Sequence, residues 1–270
     1  MTLLLLILTG VATGIFTGLL GSSSGAIMVP LLIIAFNTLA PAYSDSFAHL
    51  AVGTTLAVSV ISACVALAAN WRQIVYSPKI FWTVVIGTFF SFPIITYLSS
   101  VLTGPWVELI FACLVLSLPL VVLQRQATVY PTLSHPIVLT FASMIASTLG
   151  IVSGLGGGPF TIAFYKRAGF ALKTIIANLP YTGVILLTLS AIIYVFTGWN
   201  ASVPPYSAGY VYLPALFYVG LPNALCTLVV ARLRHNMNQA YLQFSYIAIL
   251  IIVGSGMLVS ALIDLGLLSL

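Results

Sequence analysis

The sequence predicts an all-α polytopic membrane protein made of two inverted-topology repeats, each a broken, re-entrant-type helix hairpin plus three transmembrane helices. Three observations carry this expectation. Of 270 residues, 61% are hydrophobic and only 4% charged, with a mean hydropathy of +1.20, whereas a soluble domain carries about 25% charged residues. Apolar runs of about 20 residues, enough to cross a bilayer core, recur along the chain. Two glycine-rich breaks, half a chain apart, interrupt segments that otherwise read as helices.

The first segment, 2–36, starts Met1-Thr2-Leu3-Leu4 without Lys or Arg, so it lacks the positive region of a cleaved signal peptide and belongs to the fold. It is broken by Gly21-Ser22-Ser23-Ser24-Gly25, and its second arm, 26–36, is too short to cross at about 1.5 Å per residue. Full spans follow near 48–69, 79–100 and 105–124. A link near Gln124–Ser134 then divides a first repeat, 1–127, from a second, 128–270. The second broken segment, 136–166, carries Gly156-Gly157-Gly158-Pro159, and proline is favoured where a helix begins. Spans near 174–197, 209–231 and 238–263 complete the chain. Cys64, Cys113 and Cys226 lie far apart, one in each of three spans, which excludes a CxxC metal or redox motif and reads as small core residues.

Charge sets the orientation. When each broken segment is counted as a there-and-back hairpin, Arg72, Lys79, Arg125, Lys166, Arg167, Lys173, Arg232 and Arg234 all fall on one face. By the positive-inside rule that face is cytoplasmic, so both termini, the loop with Pro41 and Asp45, the turn before Glu108 and the loop 198–208 face outward across the inner (plasma) membrane. The first hairpin then enters from outside and the second from inside. Trp71 and Trp199, and Phe92-Pro93 and Leu221-Pro222, echo one another between the halves.

The breaks point to a binding site. Lipid cannot satisfy non-helical backbone, so such backbone lines a cavity or is buried in protein. Paired interrupted segments in two halves mark the site of a secondary transporter. A helix that starts at mid-membrane offers unpaired N–H groups and about half a positive charge, so two facing starts make an anion site without buried Lys or Arg. Gly21 and Gly25 admit close backbone approach, while the hydroxyls of Ser22, Ser23 and Ser24 are donors for an oxyanion. Gly156, Gly157, Gly158 and Pro159 form the second half of the site. Thr54, Thr55, Asn178 and Thr182 lie near the starts of the helices after each break and join the list. Gly10, Gly14, Gly18, Gly150 and Gly154 read as close helix packing. His49 is set between a proton-linked gate and an interfacial histidine. Glu108 and Asp264 read as solvated or interfacial, and Trp71, Trp199, Tyr206, Tyr210 and Tyr212 as aromatic belt.

At these residues the chain resembles a known family. The glycine pattern leading into Met28-Val29-Pro30-Leu31-Leu32, then Ala51-Val52-Gly53-Thr54-Thr55-Leu56, is similar to the sulfite exporter TauE/SafE family, also called the toluene-sulfonate uptake permeases. That family carries a GxGGG break, a VPLL-like half-helix and an AxGTSL stretch in both halves, and Gly154-Leu155-Gly156-Gly157-Gly158 supplies the second break. Asn70-Trp71-Arg72-Gln73 and the helix with Gly87 and Pro93 match as well. The chain departs from the pattern at Ser22-Ser23-Ser24, at Pro159-Phe160, and at Ala177-Asn178-Leu179-Pro180-Tyr181-Thr182. The resemblance implies transport of sulfite, a sulfonate or a similar organosulfur anion by rocking one repeat against the other.

Other classes remain in view: a carrier of another small carboxylate or inorganic anion, an anion channel, and, well behind, an intramembrane serine enzyme, whose histidines sit at helix ends away from the serines. No GxxxxGK[ST] motif is present. The expected partners are a small anion and lipid, with a coupling proton open, no nucleic acid, no cofactor and no metal.

Overall fold

The computed structural model describes residues 2–20, 25–39, 41–70, 76–123, 130–233 and 239–267. The first half runs α1 (Thr2–Leu20), α2 (Gly25–Leu39), a 3-10 turn (Pro41–Ser46), α3 (Phe47–Asn70), α4 (Pro78–Val101) and α5 (Gly104–Leu123). The second runs α6 (Pro136–Val152), α7 (Gly158–Arg167), α8 (Leu172–Thr197), a two-stranded hairpin β1–β2 (Ser207–Ala208, Val211–Tyr212), α9 (Leu213–Tyr218), α10 (Gly220–Leu233) and α11 (Gln239–Asp264). Among the described residues five stretches are long and apolar enough to cross a membrane: Phe47–Val65, Pro78–Val101, Leu172–Thr197, Leu213–Val230 and Ile247–Asp264. The molecule is an all-α membrane protein with one small antiparallel hairpin.

The interrupted helices have the expected proportions. α2 and α7, with 15 and 10 residues, reach only about 22 and 15 Å at 1.5 Å per residue, well short of a core about 30 Å thick. Both begin at a glycine of a break. Pro159 sits in the first turn of α7, where its missing N–H costs no intrahelical bond.

Helix pairing crosses the chain's midpoint. α4 lies along α6 and α1 along α10, so each broken helix is held by a straight helix of the other half; α5 pairs with α11, and α3 with α8. Exchanging α1 with α6, α3 with α8, α4 with α10 and α5 with α11 reproduces these four pairings. Glycine permits the close approaches. A Cβ on Gly10 would sit 2.5 Å from the Val219 carbonyl oxygen, one on Gly14 2.8 Å from the Asn223 Cα, and one on Gly87 2.6 Å from the Thr140 carbonyl oxygen. These contacts are the small-residue packing that substitutes for a hydrophobic driving force between helices in lipid.

Buried hydroxyls and one amide fasten the same seams. Asn223 donates to Thr13 Oγ1 at 2.8 Å and accepts from Ser62 Oγ at 2.6 Å, joining α10 to α1 and α3. Tyr165 on α7 shares hydrogen bonds with Thr83 of α4 (2.6 Å) and Ser143 of α6 (2.8 Å), and Thr88 meets Ser147 at 2.8 Å. The apolar core gathers around Met28, Leu32, Leu50 and Leu56, while Phe89, Phe141, Phe196 and Ile252 face outward, as lipid requires.

Three sequence expectations need correction. The span expected from residue 209 starts at Leu213, because Val211 and Tyr212 pair with Ala208 and Ser207 as the hairpin. Cys64 and Cys113 are exposed on the outside of the bundle and Cys226 is half-exposed, so they are not core residues. Tyr210 and Tyr212 turn inward against the bundle instead of forming a belt, whereas Tyr206 and Trp199 are exposed. Trp71 lies outside the described residues.

Candidate functional site

The second break is built by glycines in a conformation other residues resist. Gly154, Gly156 and Gly157 have φ of +71°, +74° and +72°, a region where an L side chain crowds its own backbone. The Gly156 N–H donates to the Gly150 carbonyl at 2.8 Å and the Gly154 N–H to that of Ile151 at 3.0 Å, which closes the end of α6. The chain then turns back so tightly that a Cβ on Gly150 would fall on the backbone of Gly157. The Gly157 carbonyl accepts the Thr161 N–H (3.0 Å) and hydroxyl (3.1 Å), so α7 starts here.

The other half reaches this turn directly. Gly21, Ser22, Ser23 and Ser24 lie outside the described residues. Gly25, the first residue of α2, is buried against the second break: a Cβ there would strike the Gly154 carbonyl oxygen and lie 3.1 Å from the Leu155 Cα. A Cβ on Gly154 would sit 2.8 Å from Val29 of α2 and 3.5 Å from Val52 of α3. The start of α2, the second break and the first third of α3 therefore converge on one point. Gly154, read as packing in the sequence, packs there against Gly25, Val29 and Val52, and its positive φ also serves the turn.

Thr54 and Thr55 are both fully buried and have opposite fates. Thr54 Oγ1 accepts the Tyr212 N–H at 3.0 Å and anchors the hairpin. Thr55 Oγ1 is buried with no hydrogen-bond partner. It lies nearly one turn beyond Val52, on the side of α3 that leads towards Ser62 and its bond to Asn223. Buried hydroxyls are nearly always paired, and an unpaired one costs about 1–3 kcal/mol.

Asn178 and Thr182 are buried on α8. The Asn178 side chain accepts the Ser77 N–H at 2.9 Å, ahead of α4, and donates to the Thr174 carbonyl at 2.8 Å. The Thr182 hydroxyl turns to its own helix, towards the Asn178 and Leu179 carbonyls (3.2 and 3.3 Å). The structure thus seats Gly25 directly on the second break at Gly154 and Leu155, while Gly157 faces α6 and α8; Thr55 keeps an unpartnered hydroxyl on α3, and Thr54, Asn178 and Thr182 spend their side chains on bonds to the hairpin, to Ser77 and to their own helix.

His49 is not at a solvated interface. It is buried, with Nε2 2.8 Å from the Leu102 carbonyl oxygen and its ring stacked on Tyr210 at 5.0 Å. It clasps the connection before α5 and the hairpin to the start of α3. Tyr210 was not singled out as its partner, since nothing in their spacing of more than 150 residues signals the contact. Glu108 likewise departs from the solvated expectation. Its carboxyl is buried beside α11, near Ser260 and Asp264, with Oε2 unpartnered. Among the described residues no group of three metal-ligating side chains forms.

Comparison with known proteins bears on this geometry. The family model described as Sulfite exporter TauE/SafE matches residues 6–257. A protein of Haemophilus influenzae named "Probable membrane transporter protein" is 26% identical over 225 residues, covering 79% of this chain and 82% of the relative. No solved structure matches the chain.

Proposed function

The chain belongs to the sulfite exporter TauE/SafE family of membrane transporters, and on that premise we propose that it carries a small organosulfur anion, such as sulfite or a sulfonate, by alternating access at a midplane site formed by its two helix breaks. The observation that carries this reading is the direct contact of the two breaks: Gly25, the first residue of α2, packs on Gly154 and Leu155, four and three residues ahead of the start of α7, while α3, which meets Gly154 through Val52, carries the buried, partnerless Thr55 Oγ1 nearly one turn further on. An oxyanion there would receive the positive ends of α2 and α7 and a hydroxyl donor, without any buried cation. Gly156, Gly157, Gly158 and Pro159 shape the second wall, and the run Gly21 to Ser24 would supply the facing one.

The two repeats, 1–127 and 128–270, are read as inverted, with both termini outside. Two features support this: the pairing pattern that survives exchange of the halves, and the gathering of all eight Lys and Arg on one face. The experiment is a thermal-stabilisation screen of the purified full chain with sulfite, thiosulfate, short sulfonates and carboxylates, followed by proteoliposome uptake with and without a pH gradient. A carrier saturates and shows counterflow. If no anion stabilises the protein, or if Gly157→Leu leaves uptake intact, the anion site at the breaks is wrong.

A further inference from the structure

The chain holds only three acidic residues, and Glu108 lies inside the bundle. It sits one turn into α5, flanked by Val107 and Phe111 of the apolar core. The residue is only 9% exposed, and its Oε2 has no hydrogen-bond partner. The register of the α5–α11 seam shows what it faces. A Cβ on Gly254 would lie 2.7 Å from Leu116 Cγ and 3.3 Å from Val115 Cγ1. The two helices run antiparallel, so Glu108, eight residues before Leu116, is level with Leu262, eight after Gly254. Ser260 and Asp264 bracket that level and lie beside the Glu108 carboxyl. α11 turns Leu250, Gly254, Met257 and Ala261 into the bundle, and Asp264 ends the same stripe where the helix stops and becomes exposed.

Among the described residues no cation answers these two carboxyls. Lys166 and Arg167 close α7 beside Tyr130, at the end of the bundle where α5 finishes, and Lys173 follows them into α8. Lys79 opens α4, a whole helix away from the Leu102 connection into α5. The elements packed on α5 offer little else that titrates. α3 brings His49, whose Nε2 is bound to the Leu102 carbonyl, and Cys64 near its other end. α6 has no ionisable side chain, and Tyr165 of α7 is bound to Thr83 and Ser143. A carboxylate withdrawn from water, unpaired and beside a second one is costly, and the cost is relieved when it takes up a proton. Ionisable groups within membrane helices mark ion pathways and proton relays.

We propose that Glu108 and Asp264 form a proton-binding pair, entered from the end of the bundle where α5 begins and α11 stops, and that this proton is coupled to movement of the anion. The pair stands on the α5–α11 geometry, whereas the coupling rests on the carrier reading above. Asp264, at the exposed helix end, passes the proton inward; the Glu108 carboxylate plus one proton gives the neutral acid, and release restores the carboxylate. α11 also packs on α2, the half-helix whose first residue seats on the second break. The charge carried by the seam therefore bears on the element that lines the anion site.

Infrared difference spectroscopy of the purified full chain between alkaline and acid pH tests the pair, because a carboxylate that takes up a proton gains the carbonyl stretch of an acid. The wild type shows a band from a buried carboxylic acid, and Glu108→Gln removes it. Asp264→Asn, at an exposed position, keeps the band and moves the pH at which it appears, since a neighbouring like charge is gone. If Glu108→Gln fails to fold, Asp264→Asn decides. Coupling is read in proteoliposomes with methanesulfonate, an anion that stays ionised throughout. A pH gradient raises wild-type accumulation by up to about ten-fold per pH unit for one proton per anion, and in Glu108→Gln the ratio of uptake with and without the gradient falls to about one, as zero coupled protons require. A wild type without the band, a band that persists in Glu108→Gln, or one unmoved in Asp264→Asn overturns the pair. A gradient-driven gain that survives in Glu108→Gln overturns the coupling. A wild type that does not carry methanesulfonate removes the coupling together with the carrier reading for small sulfonates, and the infrared band still decides the pair.

Discussion

Replacing Thr55 by Val separates a binding role from a structural one, because the two roles predict opposite signs. Valine keeps the shape and the β-branched rotamer preference of threonine, so packing and helix propensity change little. The Thr55 hydroxyl has no partner in the folded chain, so its removal abolishes a desolvation cost of about 1–3 kcal/mol. At roughly 2–4 °C per kcal/mol for a chain of this order, the ligand-free midpoint rises by several degrees, while stabilisation by a bound anion shrinks. Thr54→Val is the internal control. It strips the acceptor from the Tyr212 N–H and costs about 1–3 kcal/mol by orphaning that donor. Differential scanning fluorimetry of both variants, with and without sulfite or a sulfonate, reads all four quantities. A Thr55→Val protein that is less stable without ligand and keeps its full anion-dependent shift would refute the assignment of this hydroxyl to a guest.

Three further outcomes follow from named contacts. Gly87→Ala puts a methyl 2.6 Å from the Thr140 carbonyl oxygen and 2.7 Å from the Ser143 Cβ, so the thermal midpoint falls by the equivalent of about 1–3 kcal/mol of overpacking; an unchanged midpoint would mean α4 and α6 are not locked there. His49→Ala removes the ring stacked on Tyr210 and the bond to the Leu102 carbonyl oxygen, so amide exchange at Tyr210 and Tyr212 accelerates by about ten-fold for each 1.4 kcal/mol lost, while His49→Phe keeps the stacking and part of the protection. Ser260→Ala removes the hydroxyl beside Glu108, and a double-mutant cycle with Glu108→Gln, read by thermal unfolding, gives a non-zero coupling energy; equal costs in both backgrounds would deny the pair a role.

Much of the membrane architecture was legible because bilayer thickness fixes helix length and lipid forbids charge. Spans such as 79–100 and 174–197 follow from those two constraints alone and agree with α4 and α8 to within two residues. The hairpin at 207–212 was hidden by composition. Val211, Tyr212 and Leu213 continue an apolar run, and only the pairing of Val211 with Ala208 shows that the helix starts later. The cysteines misled because a small apolar residue suits either a core or a lipid-facing surface, and hydropathy does not separate the two in a membrane. At the site, glycine runs signalled irregular backbone correctly. Which neighbouring threonine is free is a matter of about 100° around α3: Thr54 faces the hairpin and Thr55 does not. A motif that contains both cannot divide them.

The pairing of helices constrains how such a site could alternate. A carrier that rocked its first repeat against its second would have to part α1 from α10 and α4 from α6. Those seams are among the tightest in the molecule: Gly10 and Gly14 seat α1 on Val219 and Asn223, and Gly87 seats α4 on Thr140 and Ser143. Asn223 also ties Thr13 to Ser62, and Tyr165 ties Thr83 to Ser143. Interfaces packed like this are bistable at best and do not slide continuously. Movement is cheaper where contacts are fewer and hold no such bonds. α5 and α11 meet the rest of the bundle more sparsely than they meet each other. The hairpin, by contrast, is pinned as closely as the seams: the Tyr210 N–H donates to the Tyr194 carbonyl at 3.0 Å, and Gly209 is seated on the backbone of Val195. On the proposed carrier reading, the units that would move cut across the two halves of the chain, each containing a broken helix and the helix of the other half that clamps it. The point where Gly25 meets Gly154 lies between those units, so a small displacement of one against the other would part the two breaks.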